Sequence, residues 1–204
     1  LANVLLDKGD NQEAIKFYKK YLLLICNNPD AYSNMGIALK DEGKFDEAIE
    51  AFKKSIKLNP ENVHTYIKLG NILKDQGEFD ESVNIFKKCI TLSPNNIDAY
   101  FNMGNALRSS KKLEESSEAY KKVIFLQPDH FLAHNNMANI FQEQERFDEA
   151  IATYQKAISF KSDYAEAYSN MGNTFQKLGK LDEAIEVYEK SISIDPNDYV
   201  TYYN

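Results

Sequence analysis

The amino-acid sequence repeats itself every 34 residues over its whole length of 204 residues. The dipeptide Met35-Gly36 returns as Leu69-Gly70, Met103-Gly104, Met137-Ala138 and Met171-Gly172, with no insertion or deletion between them. A fixed period of this length is typical of repeat proteins, in which each unit contacts its neighbours and stacking builds a continuous core. The period therefore constrains the fold more strongly than any single motif does.

Each repeat contains the pattern of two amphipathic helices joined by a turn. At 63–96, Tyr66, Leu69 and Leu73 recur at helical spacing, Gly77 follows, and a second apolar series stops before Pro94. The sequence thus predicts an all-α array of antiparallel helix pairs. The predicted divisions are a partial unit at 1–28, full units at 29–62, 63–96, 97–130, 131–164 and 165–198, and the start of a further unit at 199–204. We expect such a chain to be an excerpt of a longer array.

Small residues recur in the first helix of each pair, as at Gly36 and Gly70, and in the second helix, as at Ala48 and Ser82. Glycine inside a helix costs about 1 kcal/mol relative to alanine, so its repetition predicts a close approach of the two helices, small residue against small residue. An aromatic column in the second helices is expected to fill the space between one pair and the next. Its members are Tyr18, Phe52, Phe86, Tyr120, Tyr154 and Tyr188.

The 34-residue unit, the order Tyr, Leu/Met-Gly, Ala, Phe/Tyr, Pro, and the second-helix opening FDEAI at 45–49 and 147–151 resemble tetratricopeptide repeats. The resemblance covers the whole chain. It implies an α-solenoid wound into a right-handed superhelix, with a concave groove lined mainly by first helices. It also implies a scaffold that binds a protein or an extended peptide in that groove.

Two columns of mostly asparagine run along the first helices. The first column is Asn34, Lys68, Asn102, Asn136, Asn170 and Asn204. The second column, whose later members follow those of the first by three residues, is Asn3, Ile37, Asn71, Asn105, Asn139 and Asn173. Residues three apart share a helix face, and we expect this face to point away from the paired helix. A carboxamide matches the donor and acceptor of a peptide group. With helices about 10 Å apart and an extended strand rising about 3.3 Å per residue, one asparagine per repeat could bind about every third peptide group.

The phrases SNMGN and FNMGN also resemble the asparagine ladder of the repeat domain of O-linked N-acetylglucosamine transferases. That resemblance implies that extended segments are held by Asn34, Asn102, Asn136 and Asn170, with Lys68 departing from the pattern. The alternative interpretation is structural: asparagines at these positions can hydrogen-bond between neighbouring helices and define the superhelical pitch. The structural alternative is favoured for the second column, and ligand contact for the first.

One turn beyond the second column stand Lys40, Lys74 and Arg108, which together with Lys68 make the N-terminal half of this face locally basic. These cations favour a ligand with acidic side chains or a carboxylate, and solvated helix ends are the alternative. Ile67 and Phe101 lie one residue before the first column. They predict either apolar contacts with a ligand or packing between helices.

Several other functions are disfavoured by the composition. The net charge of −7 opposes attraction to nucleic acid or anionic membranes, and the longest apolar run, YLLLIC at 21–26, is too short for a membrane span. His130 and His134 stand four residues apart, but a packing position and a helix entry explain them better than a metal site. No cofactor motif or catalytic constellation is visible, and the cysteine usage favours a cytoplasmic location.

The sequence therefore predicts a non-catalytic interaction scaffold that binds an extended peptide through an asparagine ladder. Two alternatives stay open. One is the substrate-recognition arm of a larger enzyme, such as a glycosyltransferase, and the other is a structural subunit of a large assembly.

Overall fold

The computed structural model describes residues 1–197 and 199–203, and it contains helices and turns throughout these ranges. The chain forms two compact units, Leu1–Ser110 and Lys111–Asn204. Asp198 and Asn204 lie outside the described residues, so Asn204, the last residue of the predicted further repeat, is not considered below. The prediction of an all-α chain of stacked helix pairs is confirmed within each unit.

We call the first helix of each repeat the A helix and the second the B helix. The A helices are α1 (Ala2–Asp7), α3 (Pro29–Asp41), α5 (Val63–Asp75), α7 (Ile97–Ser109), α9 (Phe131–Glu143), α11 (Ala165–Lys177) and α13 (Tyr199–Tyr203). The B helices are α2 (Asn11–Leu24), α4 (Phe45–Leu58), α6 (Phe79–Leu92), α8 (Leu113–Leu126), α10 (Phe147–Phe160) and α12 (Leu181–Ile194). Where an A helix and the following B helix lie in one unit, the two pack on each other, as α3 does on α4 and α9 on α10.

Side-chain caps define where most A helices begin. Asn28, Asn62 and Asn96 each accept a hydrogen bond from the backbone N–H three residues later, and Asn96 Oδ1 does so at 2.8 Å from the nitrogen of Ala99. These bonds satisfy N–H groups that a helix start leaves without partners. The B helices α4, α6, α8, α10 and α12 lack such a cap and carry two acidic residues in the first turn instead, which complements the positive end of the helix dipole.

The turn inside each pair contains a residue in the left-handed conformation. Gly43 has a φ of +73° there. Two repeats place other residues at this position: Lys111 has a φ of 61° and Glu145 a φ of 60°. A residue with a Cβ is strained in this region, so these two turns are less stable locally than the glycine turns.

The close approach of the two helices is confirmed, but its partner differs from the prediction. A Cβ added to Gly70 would lie 2.6 Å from ring atoms of Phe86, and one added to Gly36 would lie 2.8 Å from the Phe52 ring. The aromatic column therefore lies against the glycines of its own repeat, and the glycines make room for the rings. Small-residue contact occurs as well, because Ser82 Oγ donates to the Gly70 carbonyl at 2.7 Å.

Candidate functional site

The A helices lie side by side within each unit and form one surface in each, which we call the A-helix face of that unit. In the first unit α3 contacts both α1 and α5, and α5 contacts α7; in the second unit α9 contacts α11. Both asparagine columns lie on this surface, and their members are half-buried: Asn34, Lys68, Asn102, Asn136 and Asn170 in the first, and Ile37, Asn71, Asn105, Asn139 and Asn173 in the second.

The second column is bonded to the B helices. Asn3 Oδ1 accepts a hydrogen bond from the Tyr18 hydroxyl at 2.6 Å. Asn139 accepts one from Tyr154 at 2.5 Å, and Asn173 one from Tyr188 at 2.7 Å. The expectation that these amides point away from the paired helix is therefore wrong. Each tyrosine crosses beneath the A helix, and its hydroxyl reaches the amide of the same repeat.

In all repeats but one, the residue type in the second column matches that of the aromatic residue on the B helix: asparagine stands opposite tyrosine, and isoleucine opposite phenylalanine. Where the B helix carries Phe52, the second column carries Ile37, and no polar group is left without a partner there. The repeat of Phe86 is different, since Asn71 stands opposite a ring that has no hydroxyl. Asn71 Oδ1 is buried and has no hydrogen-bond partner among the described residues.

The first column bonds through its nitrogen atoms. Asn34 Nδ2 donates to Asn3 Oδ1 at 3.4 Å, and Asn170 Nδ2 to Asn135 Oδ1 at the same distance. Asn102 Nδ2 donates to the carbonyl of Asp98 at 2.9 Å.

These bonds hold the three amides in place. Within residues 1–197 and 199–203, the side-chain oxygens of Asn34, Asn102 and Asn170 accept no hydrogen bond.

Asn136 shows how the first column meets the tyrosines. Its Nδ2 donates to the Tyr120 hydroxyl at 3.3 Å. The same relation holds at Tyr18, where burial raises the pKa of the phenol and a hydrogen bond from Asn34 partly offsets that rise. The Tyr120 hydroxyl is thus bonded to the A helix of the following repeat, and the Tyr18 hydroxyl to its own A helix through Asn3.

The cations of the face fall into two groups. Lys40 and Lys74 lie 3.5 Å and 3.1 Å from the carboxylates of their neighbours Asp41 and Asp75, in pairs that are largely solvated. Arg108 is half-buried near the end of α7. Lys68 is half-buried and makes no ion pair in the part of the chain that the structure describes.

The position before the first column is a packing position. Ile67 is partly buried against the core of the first unit, and Phe101 is half-buried on α7. In the other full repeats a polar residue fills this position and pairs with the next A helix. For the two serines, Thr65 Oγ1 lies 3.4 Å from Ser33 Oγ, and Thr201 Oγ1 lies 2.7 Å from Ser169 Oγ.

Asn135 is the residue of this face that the sequence interpretation missed. It is fully buried, donates to a carboxylate oxygen of Glu166 at 3.2 Å, and accepts from Asn170. The signal in the sequence was an amide at a position that holds Ser33, Ile67, Phe101 and Ser169 in other repeats.

Both histidines named above have structural partners. His130 Nδ1 accepts from the backbone nitrogen of Ala133 at 3.1 Å and thereby caps α9. His134 is buried, with Nε2 at 2.9 Å from the Pro128 carbonyl and its ring beside Phe160. The described residues contain no group of three or more possible metal ligands. None of their helices combines the length and the apolarity that crossing a membrane requires.

Stacked helix pairs with a polar A-helix face define the class of helical-repeat interaction proteins. Family models described as TPR repeat and tetratricopeptide repeat match residues 1–25, 29–62, 51–84, 70–107, 104–145, 138–179 and 165–198. The chain belongs to the tetratricopeptide repeat family, whose members are protein-interaction scaffolds and whose fold is not catalytic. A search of curated proteins finds no match.

Solved structures share this fold. The protein in the crystal structure of MamA protein has 28% sequence identity to this chain. The match covers 82% of this chain and 92% of that chain, with a TM-score of 0.74. PilF of Pseudomonas aeruginosa is 18% identical over 100% of this chain and 92% of its own, with a TM-score of 0.79. YrrB, described as a TPR protein with an unusual peptide-binding site, is 18% identical over 91% and 96%, with a TM-score of 0.70.

Proposed function

We propose that the chain is an interaction module whose units each bind an extended polypeptide segment on their A-helix face. One observation carries the proposal. Asparagines recur at the same position of successive repeats, and hydrogen bonds from their side-chain nitrogens hold Asn34, Asn102 and Asn170 in place. The side-chain oxygens of these three residues accept no hydrogen bond from the described residues. A fixed acceptor loses little ordering entropy on binding and selects a donor. The backbone N–H of an extended segment is such a donor in every residue but proline.

In this proposal only the first asparagine column contacts the ligand. The second column stabilises the repeats through its bonds to the tyrosines. Contacts made to backbone groups tolerate many ligand sequences, which suits a scaffold. YrrB, a TPR protein, has a peptide-binding site, and this supports a peptide as the ligand class here.

The proposal is tested by selecting random peptides, displayed on phage, against the full chain. We expect peptides to be enriched, and we expect Asn34→Ala, Asn102→Ala and Asn170→Ala together to weaken the best of them at least about tenfold, the effect of about 1.4 kcal/mol. The matched control replaces Asn84 and Gln155, exposed amides on the B helices, and should leave the affinity unchanged.

Two results would contradict the proposal. One is a selection that enriches no peptide, which is the outcome for a structural subunit that joins its neighbours by other surfaces. The other is a triple variant that keeps its helical circular dichroism and binds the selected peptides as the original chain does. A recognition arm of a larger enzyme would behave as a scaffold does in this experiment, because it would use the same face.

A further inference from the structure

The last turn of α2 carries apolar side chains that the fold leaves open to solvent. Leu23 and Leu24 are each 85% exposed, Ile25 is 50% exposed and Tyr21 is 37% exposed. We call these four residues the α2 patch. They lie within five residues of one another at the end of one helix of the first unit. Burying apolar surface is favourable, so apolar side chains that stand together in water indicate an interaction surface.

The later repeats show that the fold does not require apolar residues at these positions. The counterparts of Leu23 are exposed as well, and four of the five are polar: Lys57, Thr91, Phe125, Ser159 and Ser193. The counterparts of Ile25 are all polar: Asn59, Ser93, Gln127, Lys161 and Asp195. Packing within the chain therefore does not explain Leu23 and Ile25, and a contact with another molecule does.

The α2 patch is held in a fixed position. Leu22, which lies between its members, is buried, and so is Tyr18 one turn earlier. Asn28 Nδ2 donates to the Tyr21 hydroxyl at 2.9 Å, and the backbone N–H of Ile25 donates to the Tyr21 carbonyl at 2.9 Å. A surface that is already ordered loses little conformational entropy on association.

The charges near the patch distinguish between possible partners. The chain carries a net charge of −7, so two copies repel each other over most of their surfaces. Residues 14–29, which include the patch, contain no acidic residue. Lys16 and Lys19 are paired within the chain, with Glu13 at 2.5 Å and with Glu47 at 3.0 Å. These paired lysines offer little to an anionic membrane or an acidic protein.

The third lysine of this segment, Lys20, has its Nζ 5.8 Å from the centroid of the Phe17 ring. One exposed cation per copy costs little at the rim of a contact, because salt screens it. The patch thus combines an apolar centre with a nearly neutral surrounding, and such a surface is its own complement. A twofold-symmetric interface requires this property, and interfaces between identical subunits are the more apolar kind.

We propose that the α2 patch is the contact through which two copies of this chain form a twofold-symmetric dimer. Leu23, Leu24 and Ile25 of each copy pack against the same residues of the other, and Tyr21 borders them. Standard interfaces bury about 800 Å² per partner, and four partly exposed side chains supply less than this. The dimer is therefore weak, with a dissociation constant in the micromolar range. It does not depend on the peptide binding proposed above.

Sedimentation velocity of the full chain, from micromolar to millimolar concentration, measures this equilibrium. The test variant combines Leu23→Lys with Ile25→Asn, which copies Lys57 and Asn59 from the same positions of the next repeat and so keeps the fold. We expect the original chain to pass from monomer to dimer and no further. The variant should weaken the dimer at least about tenfold, because two apolar side chains leave the contact.

Phe125→Ser is the matched control. Phe125 is 76% exposed at the position that corresponds to Leu23, and α10 carries Ser159 there. This change removes a similarly exposed apolar side chain from a different repeat. It should leave the dimer unchanged.

Cys26 provides a second measurement. It is exposed and directly follows the patch, whereas Cys89 is buried. A short bismaleimide at neutral pH should therefore join two copies of the original chain through Cys26. Neither Cys26→Ser nor the double variant should be joined in this way.

Several results would overturn the inference. They are an original chain that stays monomeric at the highest concentration, a double variant that dimerises as the original chain does, and a dimer that the bismaleimide does not join. Loss of the dimer in Phe125→Ser would also overturn it, because two different patches would then meet. Vesicles of phosphatidylcholine and phosphatidylserine test the other partner: binding that the double variant loses would assign the patch to a lipid surface instead. Far-ultraviolet circular dichroism confirms that each variant is folded.

Discussion

The bond between Tyr154 and Asn139 should contribute measurably to the stability of the second unit. Tyr154 is fully buried, and its hydroxyl donates to Asn139 Oδ1 at 2.5 Å. Tyr154→Phe removes the donor and leaves the acceptor in place. A net hydrogen bond contributes about 0.5–1.5 kcal/mol and an unsatisfied buried group costs about 1–3 kcal/mol. Because Asn139 is half-buried, we expect a loss of about 1–2 kcal/mol in the free energy of unfolding.

The chain itself suggests the compensating change. Ile37 opposite Phe52 is an apolar version of the same pair. Adding Asn139→Ile to Tyr154→Phe should therefore recover most of the lost stability, since both polar partners are then replaced by apolar groups. A double-mutant cycle isolates the interaction, and we expect a coupling energy of about 1 kcal/mol.

The assay is urea unfolding followed by far-ultraviolet circular dichroism, fitted with a nearest-neighbour model because repeat arrays unfold as coupled units. Tyr168→Phe is the matched control. Tyr168 is half-buried, and its hydroxyl makes no hydrogen bond with any described residue, so this change should cost little. A loss below about 0.5 kcal/mol for Tyr154→Phe, or one equal to that of Tyr168→Phe, would refute the assignment of the second column to repeat stability.

Three other changes test the local geometry. Glu145→Gly should raise the free energy of unfolding by about 1 kcal/mol in urea titrations, because the φ of 60° strains a residue that has a Cβ. An unchanged urea midpoint would contradict that strain. Gly70→Ala should lower the free energy of unfolding by about 1–3 kcal/mol through overpacking, since the new Cβ would lie 2.6 Å from the Phe86 ring. An unaltered unfolding curve would show that the ring moves aside at no cost. Burial raises the pKa of Cys89 to about 11, whereas Cys26 is exposed; Ellman's reagent at neutral pH should modify Cys26 at once and Cys89 only after urea unfolds the chain, and rapid labelling of both thiols would refute the buried placement.

The helices and their ends could be predicted from the sequence because each depends on local chemistry. Asn96 precedes α7 and caps it, and the residue after α6 is followed by Pro94, which cannot continue a helix. The position of the strained turn at Glu145 was also visible, as a missing glycine in an otherwise regular column. Repetition made these signals strong, since each was present several times at one spacing.

The side-chain partners could not be predicted in the same way, because they depend on how two helices face each other. We expected Asn139 to point away from its B helix, and the structure joins it to Tyr154 on that helix. The signal was present as a coupling between residues 15 apart, with tyrosine where the earlier position holds asparagine and phenylalanine where it holds isoleucine. Asn71 with Phe86 is the exception to that coupling, and only the structure shows that Asn71 Oδ1 is buried without a partner among the described residues.

The most direct test of the account is a titration of the isotopically labelled chain with the selected peptide, read from the side-chain amide resonances of its asparagines by nuclear magnetic resonance. The account predicts that the resonances of Asn34, Asn102 and Asn170 shift on binding, while those of Asn139 stay in place because its bond to Tyr154 is structural. Shifts confined to Asn139, or to residues of the B helices, would contradict the claim that the A-helix face receives the peptide.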